Sequence, residues 1–91
     1  MQAHPYRFWY LIMANKHPIG AIYLSHRDEI GIFIFYAYRG AGFGPEAIRQ
    51  LMYKHPRKRF LANIAPRNAA SILLFRRLGF THLQNTYEYQ P

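Results

Sequence analysis

The sequence contains no cysteine, only four acidic residues and no long apolar run. The absence of cysteine excludes a disulfide framework, a thiol nucleophile and a thiolate metal site. No apolar stretch approaches the roughly 20 residues of a membrane span, and residues 1–5 have no signal-peptide pattern. We therefore expect a soluble, cytoplasmic protein without a membrane partner. The five histidines show no paired ligand spacing, so we predict no metal site.

The scarcity of acidic residues also restricts the chemistry that the chain can perform. A catalytic carboxylate must be one of Asp28, Glu29, Glu46 and Glu88. Twelve Lys and Arg residues give a formal net charge of +8, which favours an anionic ligand such as a phosphorylated cofactor or a nucleic acid. The basic run at residues 55–59 is, by itself, most often a solvated surface.

The 91 residues are 51% hydrophobic and 18% aromatic, enough for one small domain spanning residues 1–91. Aromatic and branched residues separated by polar turns predict three consecutive strands at residues 6–14, 19–25 and 29–36. The third strand is apolar at successive positions, which is typical of a strand covered on both faces.

Two helices and two further strands are predicted after this meander. The first helix spans residues 46–54; Pro45, whose fixed φ suits a helix start, precedes it, and Pro56 ends it. A buried strand at residues 60–64 follows, parallel to the third strand because a helix connects the two. The second helix begins at Asn68 and ends at Gly79. Residues 80–89 are extended, either as one strand or as a tight hairpin that turns at Gln84-Asn85. The fold class is therefore α/β or α+β, with a mixed, mostly antiparallel sheet and the order β-β-β-α-β-α-β.

A glycine-rich turn, residues 39–46, lies between the third strand and the first helix. Glycines at such a junction expose backbone N–H groups that can bind a phosphate. The nucleotide P-loop is excluded because Pro45 and Glu46 stand where that motif needs Lys and Ser or Thr. The dinucleotide fingerprint is excluded because Pro45 takes its last glycine position and no acid follows about 20 residues later. The remaining pattern is Arg-x-x-Gly-x-Gly, formed by Arg39, Gly42 and Gly44.

This pattern resembles the acetyl-CoA-binding motif of the GNAT N-acetyltransferase superfamily. Residues 68–80, from Asn68 at a helix start to Leu78-Gly79-Phe80, resemble the second signature of the same superfamily, in its order and at its spacing. Within the superfamily, Gly-Phe-Gly-Pro-Glu-Ala and Asn-Ala-Ala-Ser look most like the branch of ribosomal-protein N-terminal acetyltransferases.

The resemblance implies an acyl-CoA N-acyltransferase fold, in which a first strand and a helical pair normally precede the meander. Those elements are not in this sequence, and they help to shape the acceptor pocket in the family. Either the protein is a minimal version of the fold, or a partner chain supplies the missing wall. We expect a homodimer, since a second copy would also bury unpaired sheet edges.

The resemblance also implies acetyl-CoA as co-substrate, with its pyrophosphate on the backbone of residues 40–44 and its pantetheine arm along residues 32–34. Arg39 either pairs with a phosphate or is solvated, and Asn68 contacts the cofactor, caps its helix or does both. The predicted cofactor-binding residues are Ile32, Phe33, Ile34, Arg39, Gly40, Ala41, Gly42, Phe43, Gly44, Pro45, Asn68, Ser71 and Phe75.

The catalytic groups are less complete than the cofactor motifs. Many family members carry, at the position of Phe75, a tyrosine that protonates the leaving thiolate, and phenylalanine has no such proton. Glu29 is the candidate base, with a solvated turn carboxylate or a water relay as the alternatives. The candidate replacements for the tyrosine are Tyr36, Tyr38, Tyr87 and Tyr89.

The leading hypothesis is an N-acetyltransferase that moves an acetyl group from acetyl-CoA to a primary amine by direct attack. The amine belongs to a small molecule or a peptide; the positive charge disfavours polycationic acceptors such as aminoglycosides and favours an anionic or ribosome-associated one. One alternative is a non-catalytic CoA-binding or dimerisation module of the same fold. Another is a basic nucleic-acid-binding domain, although no nucleic-acid motif supports it.

Overall fold

The computed structural model describes residues 6–91, which form an α+β fold. Three strands come first and make one antiparallel sheet in the order β1-β2-β3, so the predicted meander is confirmed. A short 3-10 helix and two α-helices follow. The elements are β1 (Tyr6–Ala14), β2 (His17–Ser25), β3 (Ile30–Ile34), the 3-10 helix (Tyr36–Tyr38), α1 (Phe43–Lys54) and α2 (Ala69–Arg77).

The turn between β1 and β2 is shorter than the polar run that predicts it. Asn15 and Lys16 have φ angles of 50° and 70°. Two consecutive residues with positive φ form the tight turn that suits the twist of a hairpin. His17 and Pro18 therefore belong to β2, which begins two residues before the predicted Ile19.

Helix α1 begins at Phe43, three residues earlier than the predicted Glu46. Gly42 precedes it with a φ of 88°, and the Glu46 N–H donates to the Gly42 carbonyl at 3.3 Å. Pro45 is consequently the third helical residue. It fits there because the first-turn N–H groups have no acceptor within the helix, so the one that proline lacks is not needed.

Both ends of helix α2 are formed as predicted. The Asn68 side chain accepts a hydrogen bond from the Ser71 N–H at 3.1 Å, which is an N-cap. At the other end Gly79 has a φ of 99° and Phe80 donates to the Phe75 carbonyl at 3.0 Å. This backbone pattern is a Schellman motif. The Phe75 and Phe80 rings meet edge to face at 5.0 Å and complete it.

The core lies between one face of the sheet and helix α1. Alternate residues of each strand point to this face, as the two-residue period of a strand requires. Ile19, Leu24 and Ile48 are fully buried. The complete buried cluster is Ile12, Ile19, Ile22, Leu24, Ile30, Ile48, Leu51 and Phe75.

The predicted fourth and fifth strands do not form among the described residues. Residues 60–64 make one parallel bridge, Glu29 to Leu61, in which Ile30 donates to the Leu61 carbonyl at 2.7 Å and Leu61 donates to the Asp28 carbonyl at 2.8 Å. The predicted parallel orientation is right, but the ladder stops there. Residues 80–89 have no strand partner among the described residues, and residues 81–91 are exposed. Without apolar burial, an added strand in this segment would gain little stability.

The second face of the sheet is open in the described part of the chain. Trp9, Leu11 and Phe33 point to it with exposed fractions of 51%, 54% and 53%. The expectation that β3 is covered on both faces is therefore wrong for this face. None of the described helices is both long and apolar enough to cross a membrane.

His55 follows helix α1 and packs on the edge of the sheet that carries β1. Its ring stacks on Phe8 with 3.7 Å between centroids, and its Nε2 lies 2.6 Å from the Tyr10 hydroxyl. Partial burial lowers the pKa of His55, and the nearby positive charges of Lys54 and Arg57 lower it further. The folded protein therefore favours the neutral imidazole.

A lowered pKa predicts a loss of stability on acidification. The unfolded chain takes up the proton near pH 6.5 and the folded chain only at lower pH, so the stabilisation by His55 is present above about pH 6.5 and is lost as pH falls through the folded pKa. Urea unfolding between about pH 7.5 and about pH 5 should show a smaller pH dependence for His55→Gln than for the wild type. His17→Gln, at an exposed histidine, is the control. An equal pH dependence in the wild type and His55→Gln would contradict this assignment.

Candidate functional site

A cleft opens where β3 and the chain after Leu61 diverge. Within the described residues the two segments pair only through the Glu29–Leu61 bridge, so the rest of β3 forms no ladder with residues 62–64. Helix α2 closes the third side, and the cleft has a volume of about 370 Å³. Its lining is Trp9, Ala21, Ile22, Tyr23, Ile30, Gly31, Ile32, Phe33, Asn63, Ile64, Ala65, Asn68, Ser71 and Phe75. Five predicted site residues, Ile32, Phe33, Asn68, Ser71 and Phe75, thus meet in one place.

The cleft exposes unused backbone groups of β3. In an antiparallel pair, successive residues direct their N–H and C=O alternately towards and away from the partner strand. Ile30 donates to Leu61, and the Ile34 carbonyl accepts from Arg39, so both point away from β2. Ile32 has the same parity, and within residues 6–91 its N–H and C=O have no partner. A free peptide group therefore faces the cleft.

The glycine loop carries further free donors. Gly40 and Gly42 have φ angles of 76° and 88°, and a Cβ built at either would meet no heavy atom within 4 Å. Within the described residues, the N–H groups of Ala41, Gly42 and Phe43 have no acceptor. These N–H groups stand at the N-terminus of the 12-residue helix α1, where an anion is favoured. The loop therefore fits a pyrophosphate.

Gly44 connects the loop to the cleft. It is buried, and a Cβ there would lie 3.4 Å from Ile34 Cδ1 and 3.5 Å from Leu74 Cδ2. The start of helix α1 thus packs against the end of β3 and against α2, two of the elements that wall the cleft. Phe43 meets the ring of Tyr38 edge to face at 6.3 Å, which holds the other side of the loop.

The Arg39 side chain is hydrogen-bonded to the last residue of β3. Its Nε donates to the Ile34 carbonyl at 2.9 Å, and its guanidinium lies 6.0 Å from the Phe33 ring and 5.8 Å from the Tyr36 ring. These contacts hold the loop against the end of the strand. Pairing of Arg39 with a phosphate stays a prediction.

The α2 side of the cleft contributes Asn68, Ser71 and Phe75. Asn68 caps its helix and lines the cleft at the same time, so the two roles considered for it are compatible. Phe75 is 4% exposed and offers the cleft only a hydrocarbon ring. This wall therefore has no acid at Phe75.

Glu29 lies at the vertex of the cleft, behind Asn63. Its Oε1 accepts from Ser25 Oγ at 3.1 Å and its Oε2 accepts from Asn63 Nδ2 at 2.6 Å. Asn63 lines the cleft, whereas Glu29 does not. The carboxylate joins the two diverging segments by a hydrogen bond, and its role as a base stays a prediction.

Nine of the fourteen residues that line the cleft were not predicted as site residues, and three of these nine have aromatic or polar side chains: Trp9, Tyr23 and Asn63. Tyr23 lies opposite Gly31 in the β2–β3 pairing, and its ring edge and hydroxyl occupy the space that a Cβ of residue 31 would fill. An aromatic residue paired with a glycine across a hairpin is a signal that could have identified this contact. Of the tyrosines considered as acids, Tyr36, Tyr38, Tyr87 and Tyr89, none lines the cleft.

Comparisons with known proteins identify the family and the fold. The model of the acetyltransferase (GNAT) domain family matches residues 1–81. The crystal structure of an apo aminoglycoside antibiotic 6'-N-acetyltransferase from Acinetobacter haemolyticus is similar, with a TM-score of 0.70 and 21% sequence identity, over 89% of this chain and 67% of that chain. At this identity, the likeness shows a shared fold. No curated protein matches the sequence.

The chain belongs to the GNAT acetyltransferase family, because the family match spans nearly all of its length. The predicted GNAT-like fold class is confirmed by the structural likeness, with the strand corrections described above. The ribosomal-protein branch within the family stays a prediction.

Proposed function

We propose that this chain binds acetyl-CoA and transfers its acetyl group to a primary amine by direct attack. The observation that carries the proposal is the arrangement of the glycine loop and the cleft around the end of β3. The loop presents free N–H groups at a helix start, and the cleft presents a free peptide group of Ile32 a few residues upstream. An elongated ligand with a phosphate end and an amide-bearing arm fits both.

Each part of the site has a separate task in this proposal. Ala41, Gly42 and Phe43 would hold the pyrophosphate through their N–H groups, with no side chain in the way at Gly40 and Gly42. Ile32 would bind an amide of the pantetheine arm as a neighbouring strand would. Acetyl-CoA supplies the activated acyl group, and the chain holds it in a fixed position so that orientation contributes to the rate.

The nature of the acceptor is also a proposal. No carboxylate is among the described residues that line the cleft, and the chain carries a formal net charge of +8. The aminoglycoside in the name of the structural neighbour is a property of that protein. For this chain the charge favours a small-molecule or peptide amine that is neutral or anionic overall, and it disfavours a polycation.

One observation favours the second candidate, a non-catalytic CoA-binding module. Phe75 cannot give a proton to a leaving thiolate, and it lies in the cleft. Such a module would bind acetyl-CoA and release no free CoA with any amine. The acetyltransferase is preferred because Tyr23, which does carry a hydroxyl group, lines the same cleft.

We also propose that two copies of the chain associate through the open sheet face, formed by Trp9, Leu11, Ala21, Tyr23, Gly31 and Phe33. The exposed fractions of Trp9, Leu11 and Phe33 are about one half, which is unusual for large apolar side chains that share one face of a sheet. Cleft and face share residues, so the second copy would border the site.

Calorimetry with acetyl-CoA tests the cofactor assignment. The wild type should bind, and Gly42→Glu should weaken binding by at least about 100-fold because a carboxylate would repel the pyrophosphate (roughly 2.7 kcal/mol). Gly79→Glu adds the same charge at another glycine with positive φ and open surroundings, so it controls for backbone strain and should bind as the wild type does. Absence of wild-type binding, or equal weakening in both variants, would contradict the proposal.

Replacing Glu29 by glutamine tests the base. If Glu29 accepts the proton of the amine, directly or through water, Glu29→Gln should lower kcat/KM by about 10²-fold or more. Asp28→Asn is the matched control, at a neighbouring carboxylate paired with Arg57 at 3.2 Å. An unchanged kcat/KM in Glu29→Gln would limit the role of Glu29 to its hydrogen bond with Asn63.

Sedimentation velocity tests the homodimer. Leu11→Lys places a charge on the open sheet face and should shift a wild-type dimer to monomer, because a buried lysine without a partner is costly. Tyr53→Lys is the control, since Tyr53 is 90% exposed on helix α1. A wild type that stays monomeric at every concentration would exclude the homodimer.

A further inference from the structure

We propose that the hydroxyl group of Tyr23 is the acid that protonates the leaving sulfur. This inference rests on the proposed acetyl transfer and assigns a residue to a step that Phe75 cannot perform. It identifies a strand tyrosine, in the middle of β2, as the proton donor.

In the proposed step an amine attacks the acetyl thioester of acetyl-CoA. The amine nitrogen bonds to the acetyl carbon and the carbon–sulfur bond breaks, so that the electron pair of that bond goes to sulfur. Tyr23 gives its hydroxyl proton to this sulfur, and free CoA leaves as the thiol. The nitrogen releases one proton to a base or to water, and solvent returns a proton to the tyrosinate. The net change is amine plus thioester to amide plus thiol.

Cross-strand geometry brings Tyr23 to the cleft. Tyr23 on β2 faces Gly31 on β3, and the ring edge and hydroxyl lie where a Cβ of residue 31 would be. Any other residue at position 31 would meet the ring. The glycine therefore lets the tyrosine extend across β3, and both residues line the cleft.

The hydroxyl lies beside the peptide group that would hold the pantetheine arm of the cofactor. Gly31 immediately precedes Ile32, whose N–H and C=O are free towards the cleft. Phe75 lines the same cleft from helix α2. Tyr23 thus supplies, from the sheet, the hydroxyl group that the helix side of the cleft lacks at Phe75.

Other tyrosines are less suited to this role. Tyr36, Tyr87 and Tyr89 are exposed by 85% or more and do not line the cleft. The hydroxyl of Tyr10 lies 2.6 Å from His55, among side chains on the opposite face of the sheet. Of the tyrosines in the described chain, only Tyr23 is among the residues that line the cleft.

The first test measures binding and needs no turnover. A hydroxyl group that contacts the sulfur should make the wild type prefer CoA over desulfo-CoA by about threefold to tenfold, the usual range for one hydrogen bond. Tyr23→Phe keeps the ring and should lose this preference, while Tyr36→Phe should keep it. The same preference in the wild type and in Tyr23→Phe would overturn the assignment.

The second test measures turnover. Tyr23→Phe should lower kcat by about 10²-fold or more and leave the KM for acetyl-CoA nearly unchanged. Gly31→Ala should also lower kcat, because a methyl group would push the ring from its place. Wild-type kcat in either variant would overturn the proposal.

The two proposals fail in different ways. If the wild type binds no acetyl-CoA, the proposed function is wrong and the Tyr23 assignment falls with it. If Tyr23→Phe binds acetyl-CoA and releases free CoA as fast as the wild type, the proposed function stands and the role of Tyr23 alone is wrong.

Discussion

The site depends on the short pairing between β3 and the segment around Leu61, which consists of one parallel bridge. A sheet edge presents N–H and C=O groups that need partners. β2 satisfies one edge of β3, the Glu29–Leu61 bridge satisfies the start of the other, and Arg39 covers the carbonyl of Ile34. Between these points the peptide group of Ile32 is left open. A longer parallel ladder would have closed the cleft and removed its recognition surface.

Helix α1 adds a second binding feature, the free N–H groups at its N-terminus, to the open edge of β3. Its first residues follow Gly42, whose left-handed conformation lets the chain turn from the loop into the helix. At Gly44 the helix lies close to Ile34 and Leu74, at a distance where a Cβ would make ordinary van der Waals contact. The positive end of the helix and the open peptide edge are therefore fixed relative to each other by packing.

The local elements were predictable from the sequence, and the long-range pairings were not. Periodicity and turn residues predicted the meander and both helices, and Asn68 and Gly79 marked the ends of α2 correctly. The predicted start of α1 at Glu46 is wrong because it treats Pro45 as the mark of the helix start. Gly42 allows the helix to begin earlier, at Phe43. The strand at residues 60–64 was overestimated because an apolar run shows burial but not how many residues pair.

The sequence pattern predicted the site residues that belong to motifs. It missed those that reach the cleft only because of how the strands pair and where the chain runs. Asn68 and the glycine loop stand in recognisable spacing. Tyr23 and Asn63 enter the cleft only through the register of β2 and the course of the chain after Leu61. Because strand register depends on the whole hairpin, the local sequence around Tyr23 and Asn63 predicts their place in the cleft less strongly than a motif would.

The position of Gly44 limits how the start of helix α1 can change. A Cβ there would lie 3.4 Å from Ile34 Cδ1 and 3.5 Å from Leu74 Cδ2, which is ordinary van der Waals contact. Alanine would therefore fit between helix α1, the end of β3 and helix α2, whereas a longer side chain would have to displace one of the three.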